Sequence, residues 1–197
     1  DPWEYITLGE AAQLRGRTFS AEGYYKEAQR LFIEAGDRQG EAQSLKSLGN
    51  VHSNRGGGAA AENFYRESLA IAREIRDRKI EGDSLNNLGL IESGRRNLDE
   101  AERLLRESLA IAREHGDRKS EAISLGNLGV FAGEQKNYDL AESLYREGLF
   151  IEREIGHRKG EAISLGNLGV IARIRGEFDE AERLHRESLA INREIGD

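Results

Sequence analysis

Glu121–Val130 reads EAISLGNLGV, and Glu161–Val170 repeats it letter for letter, 40 residues on. The same interval backwards reaches EGDSLNNLGL at Glu81–Leu90, EAQSLKSLGN at Glu41–Asn50 and, more faintly, DPWEYITLGE at Asp1–Glu10. One unit written five times at a fixed period marks a stacked array, because a single unit of this size cannot bury its apolar face alone. The repeats run 1–37, 38–77, 78–117, 118–157 and 158–197, and together they are expected to form a single domain.

The periodicity inside each unit is helical. The only Pro is at position 2 and strand-like alternation is absent. Asp1 can cap, Pro2 suits the first helical position, and Glu4 completes a capping-box spacing. A first helix is expected to about Arg15, with a break at Gly16 and a second helix from about Ser20 to Ala35. Asp37, Asp77 and Asp117 supply the later start signals, and His157 takes their place in the last unit. The run Arg-Gly-Gly-Gly within Asn54–Gly58 reads as the loosest turn and the candidate for mobility. The helix expected over Ala59–Ile75 gathers Ala61, Phe64, Tyr65, Ser68, Leu69, Ile71 and Ala72 on an apolar face broad enough for two neighbours. Asn97 with Glu100 restores a capping spacing. Glu102 with Arg106, and Arg103 with Glu107, stand four apart, worth only about 0.2–0.5 kcal/mol per pair on an exposed face.

A hydrophobic share of 38% with 33% charged residues favours amphipathic helices over a large globular core. The net charge of −7 argues against nucleic acid as a partner, since a phosphate groove needs surplus Lys and Arg on one face. Without Cys there is no disulfide frame, thiolate zinc site or Cys nucleophile. No apolar run approaches a membrane span and no signal-peptide pattern precedes the first repeat. The expectation is a cytoplasmic protein with no membrane partner. The chain opens at Asp1 and holds no Met, which leaves open a longer natural protein. His52, His115, His157 and His185 fall at different places in the unit and lack metal-ligand spacing. Gly126-x-x-Gly129 lies inside a helical pattern with no preceding strand, unlike a phosphate loop. The carboxylates read as a solvated surface, so no catalytic residue, cofactor or metal is expected.

The row Leu8, Leu48, Leu88, Leu128, Leu168 is followed by Gly9, Gly49, Gly89, Gly129, Gly169, and the second helices share Ala21, Ala61, Ala101, Ala141, Ala181. By these packing marks the chain resembles the tetratricopeptide repeat. The standard unit has about 34 residues and a Pro near its end; this longer, Pro-free form is similar to the repeats of Pins-type polarity adaptors with Leu-Gly-Asn motifs, of kinesin light chains and of sensor arrays in bacterial regulators. The resemblance implies an all-α, right-handed superhelical solenoid of five helix-turn-helix repeats, whose inner groove, lined by the first helices, holds a segment of a partner protein.

By the same resemblance, rows three and four residues apart write the groove wall. They are Gln43, Lys46, Asn50 and Ser53, then Asp83, Asn86, Leu90 and Ser93, then Ile123, Gly126, Val130 and Gly133, then Ile163, Gly166, Val170 and Arg173. The wall turns from polar to apolar and nearly bare. Only Asn50 keeps the Leu-Gly-Asn form, while Asn87, and in part Asn127 and Asn167, match the backbone-gripping Asn of kinesin light chains. For these three Asn a hydrogen bond to the neighbouring helix competes with a ligand role. The Gly49 row reads as close helix approach, since a mid-helix Gly otherwise costs about 1 kcal/mol. For Gly126 and Gly166, drift and ligand space stand level. Tyr25, Tyr65, Tyr145 and His185 read as core filling. The function expected is a non-enzymatic scaffold for a peptide or helix. Self-assembly through an uncapped last helix and the sensor portion of a larger effector are the alternatives.

Overall fold

The computed structural model describes residues 1–196, all of whose regular structure is helical. The helices are α1 (Pro2–Leu14), α2 (Thr18–Ala35), α3 (Arg38–Asn54), α4 (Gly58–Ile75), α5 (Arg78–Gly94), α6 (Leu98–Glu114), α7 (Arg118–Glu134), α8 (Tyr138–Glu154), α9 (Arg158–Ile174) and α10 (Phe178–Ile195). Asp197, the expected end of the fifth repeat, lies outside the described residues. Two compact units divide within α6: unit one reaches Leu104, and unit two begins at Leu105.

The start signals act as their chemistry requires. Asp37 Oδ1 accepts from the Gly40 amide at 2.9 Å, Asp77 Oδ1 from Ile80 at 2.9 Å, and Asp117 Oδ1 from Ser120 at 3.0 Å. Each bond satisfies one first-turn amide that has no partner inside its helix. His157 makes no such side-chain cap. The Arg-Gly-Gly-Gly turn is closed like the others. Gly57 N–H donates to His52 O at 2.9 Å and Gly56 takes φ +76°, while Arg96 and Lys136 hold the same left-handed conformation in later repeats.

In unit one, Tyr25, Phe32, Leu45, Leu48 and Val51 are fully buried, and in unit two Leu125, Ile151 and Leu165 are. The close approach read from the Gly row is real. A Cβ on Gly49 would meet the Tyr65 ring at 2.4 Å, one on Gly9 the Tyr25 ring at 2.4 Å, and one on Gly129 the Tyr145 ring at 2.5 Å. At Gly169 the His185 imidazole takes that role, at 2.7 Å, although its other side is exposed.

A second set of contacts corrects the view of the charges as a solvated surface. Arg55, capping the end of α3, reaches back to Glu22 of α2 at 2.5 Å, Arg95 at the end of α5 to Glu62 of α4 at 2.5 Å, and Arg175 at the end of α9 to Glu142 of α8. The Glu62 carboxyl is held below its ordinary range, chiefly by the Arg95 bond, and the Glu142 carboxyl likewise by Arg175. Buried Glu121 receives both Arg113 at 3.0 Å and Arg118 at 2.6 Å, and Glu161 receives Arg153 at 2.9 Å and Arg158 at 2.5 Å. Apart from Arg118–Glu121 and Arg158–Glu161, which lie within one helix, these pairs join successive elements. They fix the stacking register as well as keeping the surface soluble.

Two glycines should respond oppositely to the same change. Gly49→Ala drives a methyl into a buried ring and is expected to lower stability by about 1–3 kcal/mol. Gly126 has nothing within 4 Å of its would-be Cβ, so Gly126→Ala should raise stability by up to about 1 kcal/mol. Urea midpoints of the two variants measure both signs.

Candidate functional site

Within each unit the first helices of successive repeats lie side by side, α3 against α5 and α7 against α9. In unit one their shared face is polar and braced. Lys46 Nζ donates to Asp83 Oδ2 at 2.6 Å, and Lys46 is largely withdrawn from water. Asn50 Oδ1 accepts twice, from the Tyr65 hydroxyl at 2.8 Å and from the Asn87 amide at 3.2 Å. Burial pushes the Tyr65 phenol up to about 12, so it remains a donor through the neutral range. Asn86 is buried, Gln43 is half-buried and Ser53 is exposed, while Leu90 keeps 41% of its surface exposed. Asn87 thus bonds to its neighbouring helix. Lys46, Asp83, Asn50 and Asn87 all serve the α3–α5 contact.

Unit two presents a different face. Ile123 and Val130 on α7 are 42% and 41% exposed, and Ile163 and Val170 on α9 are 56% and 40% exposed. Between these side chains the helix surface is bare. A Cβ on Gly126 or Gly133 would meet nothing within 4 Å, and one on Gly166 only the Ser188 hydroxyl, at 3.7 Å. Asn127 and Asn167 are half-buried beside the strip, and Arg173 is exposed at its end. Ile174, one turn beyond Val170 and 48% exposed, extends the strip. The sequence rows stopped one position short of it; its i+4 spacing from Val170 was the available signal.

Two clefts lie elsewhere, between successive second helices. One of about 190 Å³ is floored by Leu149, Leu165, Leu168 and Leu184, and the other, of about 270 Å³, by Leu69, Leu85, Leu88 and Leu104. They are the same seam 80 residues apart in register. The guanidinium groups on their rims are ion-paired, Arg73 to Glu81 and Arg153 to Glu161 and Glu187. Among the described residues no cluster of His, Asp and Glu could hold a metal, and no helix is long and apolar enough to cross a membrane. His52 instead lies 3.6 Å from Glu22 and packs its ring on Phe64.

Comparison with known proteins agrees with this architecture. The family model described as tetratricopeptide repeat matches residues 4–74, 80–151 and 120–194, and the chain belongs to that family. No curated protein sequence matches it significantly. A Rap protein complexed with Competence and Sporulation Factor is similar to it in structure, with a TM-score of 0.90 at 17% identity, over 100% of this chain and 55% of that one. So is the Rap conjugation gene regulator of plasmid pLS20 in complex with the Phr* peptide, at 0.86 and 17%, over 98% and 53%. A Podosopora anserina putative kinesin light chain with nearly identical TPR-like repeats follows at 0.69 and 16%, over 98% and 95%. The chain therefore spans about half the length of the two Rap proteins. At these identities the likeness is one of fold.

The unit-one face makes a distinct prediction. Asp83→Ala leaves the Lys46 ammonium largely buried without its counter-charge and should cost about 2–3 kcal/mol, whereas Lys46→Met with Asp83→Leu should regain most of that loss. Urea unfolding of the single and double variants measures the difference.

Proposed function

We propose that the protein is a non-enzymatic interaction module that holds a peptide or helical segment of a partner protein along its first-helix faces. The observation that carries this reading is the α7–α9 face, where Ile123, Val130, Ile163 and Val170 stand exposed around bare glycines on rigid helices. Bare backbone lets a partner chain approach closely, and covering the roughly half of each aliphatic side chain that is still exposed contributes on the order of 1 kcal/mol apiece. Asn127 and Asn167 would hydrogen-bond the partner's main chain, and Arg173 would meet an acidic end. On unit one, Gln43, Lys46, Asn50, Asp83, Asn86, Asn87 and Leu90 would form a separate, mainly polar contact face. The complexes of Rap proteins named above support a peptide ligand by analogy of fold. That those proteins are nearly twice as long supports a further reading, in which this array is the sensor portion of a larger regulator. A cysteine-free composition fits a cytoplasmic setting.

Selection from a random peptide library, followed by fluorescence anisotropy, tests the site. Val130→Asp with Val170→Asp puts unpaired carboxylates on the strip and is expected to weaken the selected peptides more than tenfold, a loss above about 1.4 kcal/mol. Helix content should be unchanged, since both side chains face solvent in the free protein. Undiminished affinity would remove the α7–α9 face from the site.

A further inference from the structure

The first and last repeats lack contacts that recur at the junctions between repeats. Leu69, Leu109 and Leu149, at one position of the second helices, are only 9%, 7% and 8% exposed, and Leu165 and Leu168 of the following first helix share the core around Leu149. At that position in α10, Leu189 is 49% exposed. Leu48, Leu88, Leu128 and Leu168 are at most 6% exposed, while Leu8 of α1 is 42% exposed. The charges leave the same gap. Glu22, Glu62 and Glu142 each hold a cation one turn on in their own helix and an arginine of the following repeat, Arg55, Arg95 or Arg175. Their counterpart Glu182 has only Arg186, one turn on, among the described residues. Arg113 holds Glu121 and Glu147, and Arg153 holds Glu161 and Glu187. Arg193, their counterpart in α10, and Arg15, the counterpart of Arg55, have no ion pair among the described residues.

What α10 lacks is what α1 and α2 carry. Counting a second copy onward by five periods of 40 residues places its Arg15 after Glu182 by 33 residues, the separation of Arg55 from Glu22, Arg95 from Glu62 and Arg175 from Glu142. Gln135 is the one departure in that arginine row. The second copy's Asp1 follows Arg193 by 8 residues, as Glu81 follows Arg73 and Glu161 follows Arg153. Its Glu27 follows Arg193 by 34, as Glu147 follows Arg113 and Glu187 follows Arg153. Its Leu8 stands to Leu189 as Leu168 does to Leu149, with Tyr5 in the place of Leu165. We propose that α10 is a docking face for α1 and α2 of a second copy of this chain, joined head to tail by the contacts that join its own repeats.

Such an interface is heterologous, each copy offering one face of each kind, so association need not stop at a pair. Covering Leu189 and Leu8 removes apolar surface from water and supplies the drive. The ion pairs contribute little net energy at exposed positions, but they reject other partners and fix the register. Two features make this junction weaker than those within one chain. Glu4 takes the row of the smaller Ser44, Ser84, Ser124 and Ser164, and each copy carries a net charge of −7. Association is therefore a property of concentrated protein. It does not rest on the peptide-binding reading, which uses the faces of α7 and α9.

Sedimentation of the protein from about 1 μM to about 1 mM tests this, a range that reads dissociation constants of weak and moderate strength. The weight-average mass should rise with concentration from the 22.0 kDa of one copy. Arg15→Glu brings two carboxylates together at the junction and Glu182→Arg brings two guanidinium groups together, so each variant alone should associate at least about tenfold more weakly. An equimolar mixture of the two should recover association, because each then meets the complementary charge on the other. Leu189→Asp should abolish it by placing a carboxylate in the apolar contact. All three side chains face solvent in the single copy, so helix content should be unchanged. A mass that stays at one copy throughout, an association that Arg15→Glu leaves intact, or a mixture no more associated than its components would overturn the proposal. So would an association lost only in Val130→Asp with Val170→Asp, which would place it on the α7–α9 face.

Discussion

Four of the five hairpins close where a ring of the second helix fills the space that a glycine of the first leaves open. Tyr25 does so on Gly9, Tyr65 on Gly49, Tyr145 on Gly129 and the His185 imidazole on Gly169. Any side chain at the glycine would push the helices apart, and a smaller group at the ring would leave a void, so the two positions are fixed as a pair. The constraint also decides what the outer margin of the first helix carries. The Tyr25 hydroxyl emerges at Gln13, 3.1 Å away, and the Tyr65 hydroxyl at Asn50, where it meets the Asn87 amide of the next first helix. At Asn50 a packing device therefore delivers a donor to the row that the family resemblance assigns to a ligand. At His185 there is no hydroxyl to deliver.

What was legible in the sequence follows the reach of each interaction. The 40-residue period and the Asp caps at 37, 77 and 117 depend on local spacing and could be read without coordinates; the row Ile123, Val130, Ile163 and Val170, exposed in the structure, was placed on the wall by the family resemblance. The Gly row could be read too, because a repeated mid-helix glycine needs a packing reason. The link from Lys46 to Asp83 was hidden, although both were assigned to one wall, since the wall rows give position and not partner. Hidden for the same reason were Arg55 to Glu22, Arg95 to Glu62 and Arg175 to Glu142, each pair 33 residues apart. A search for partners four residues apart passes over them. His157 was visible as a departure from Asp; that its neighbour is the buried Glu152 required the fold.

The buried glutamates explain how a chain so rich in charge keeps a defined register. Glu81, Glu121 and Glu161 each accept from two arginines, one before and one just inside the following helix. Such a site contributes little net energy, because withdrawing a carboxylate from water costs nearly what its partners return. Its effect is geometric. The second arginine sits three residues away on the glutamate's own helix, but the first reaches it from the preceding helix only in one stacking arrangement, so a slipped hairpin would lose half of the pairing of a buried carboxylate.

The same logic separates the two first-helix faces. In unit one, Lys46, Asp83, Asn50 and Asn87 have their bonds satisfied across α3 and α5, so a ligand there must compete with contacts already made. In unit two, Ile123, Val130, Ile163 and Val170 bring no hydrogen-bonding demand, and covering them releases water without breaking a protein bond. On the proposed reading, binding to unit two is therefore driven by covering apolar surface. On the same proposed reading, a ligand on unit one must replace the Lys46–Asp83 or Asn50–Asn87 bonds it disturbs or leave buried groups unpaired, and that penalty exceeds what one more methyl contact returns.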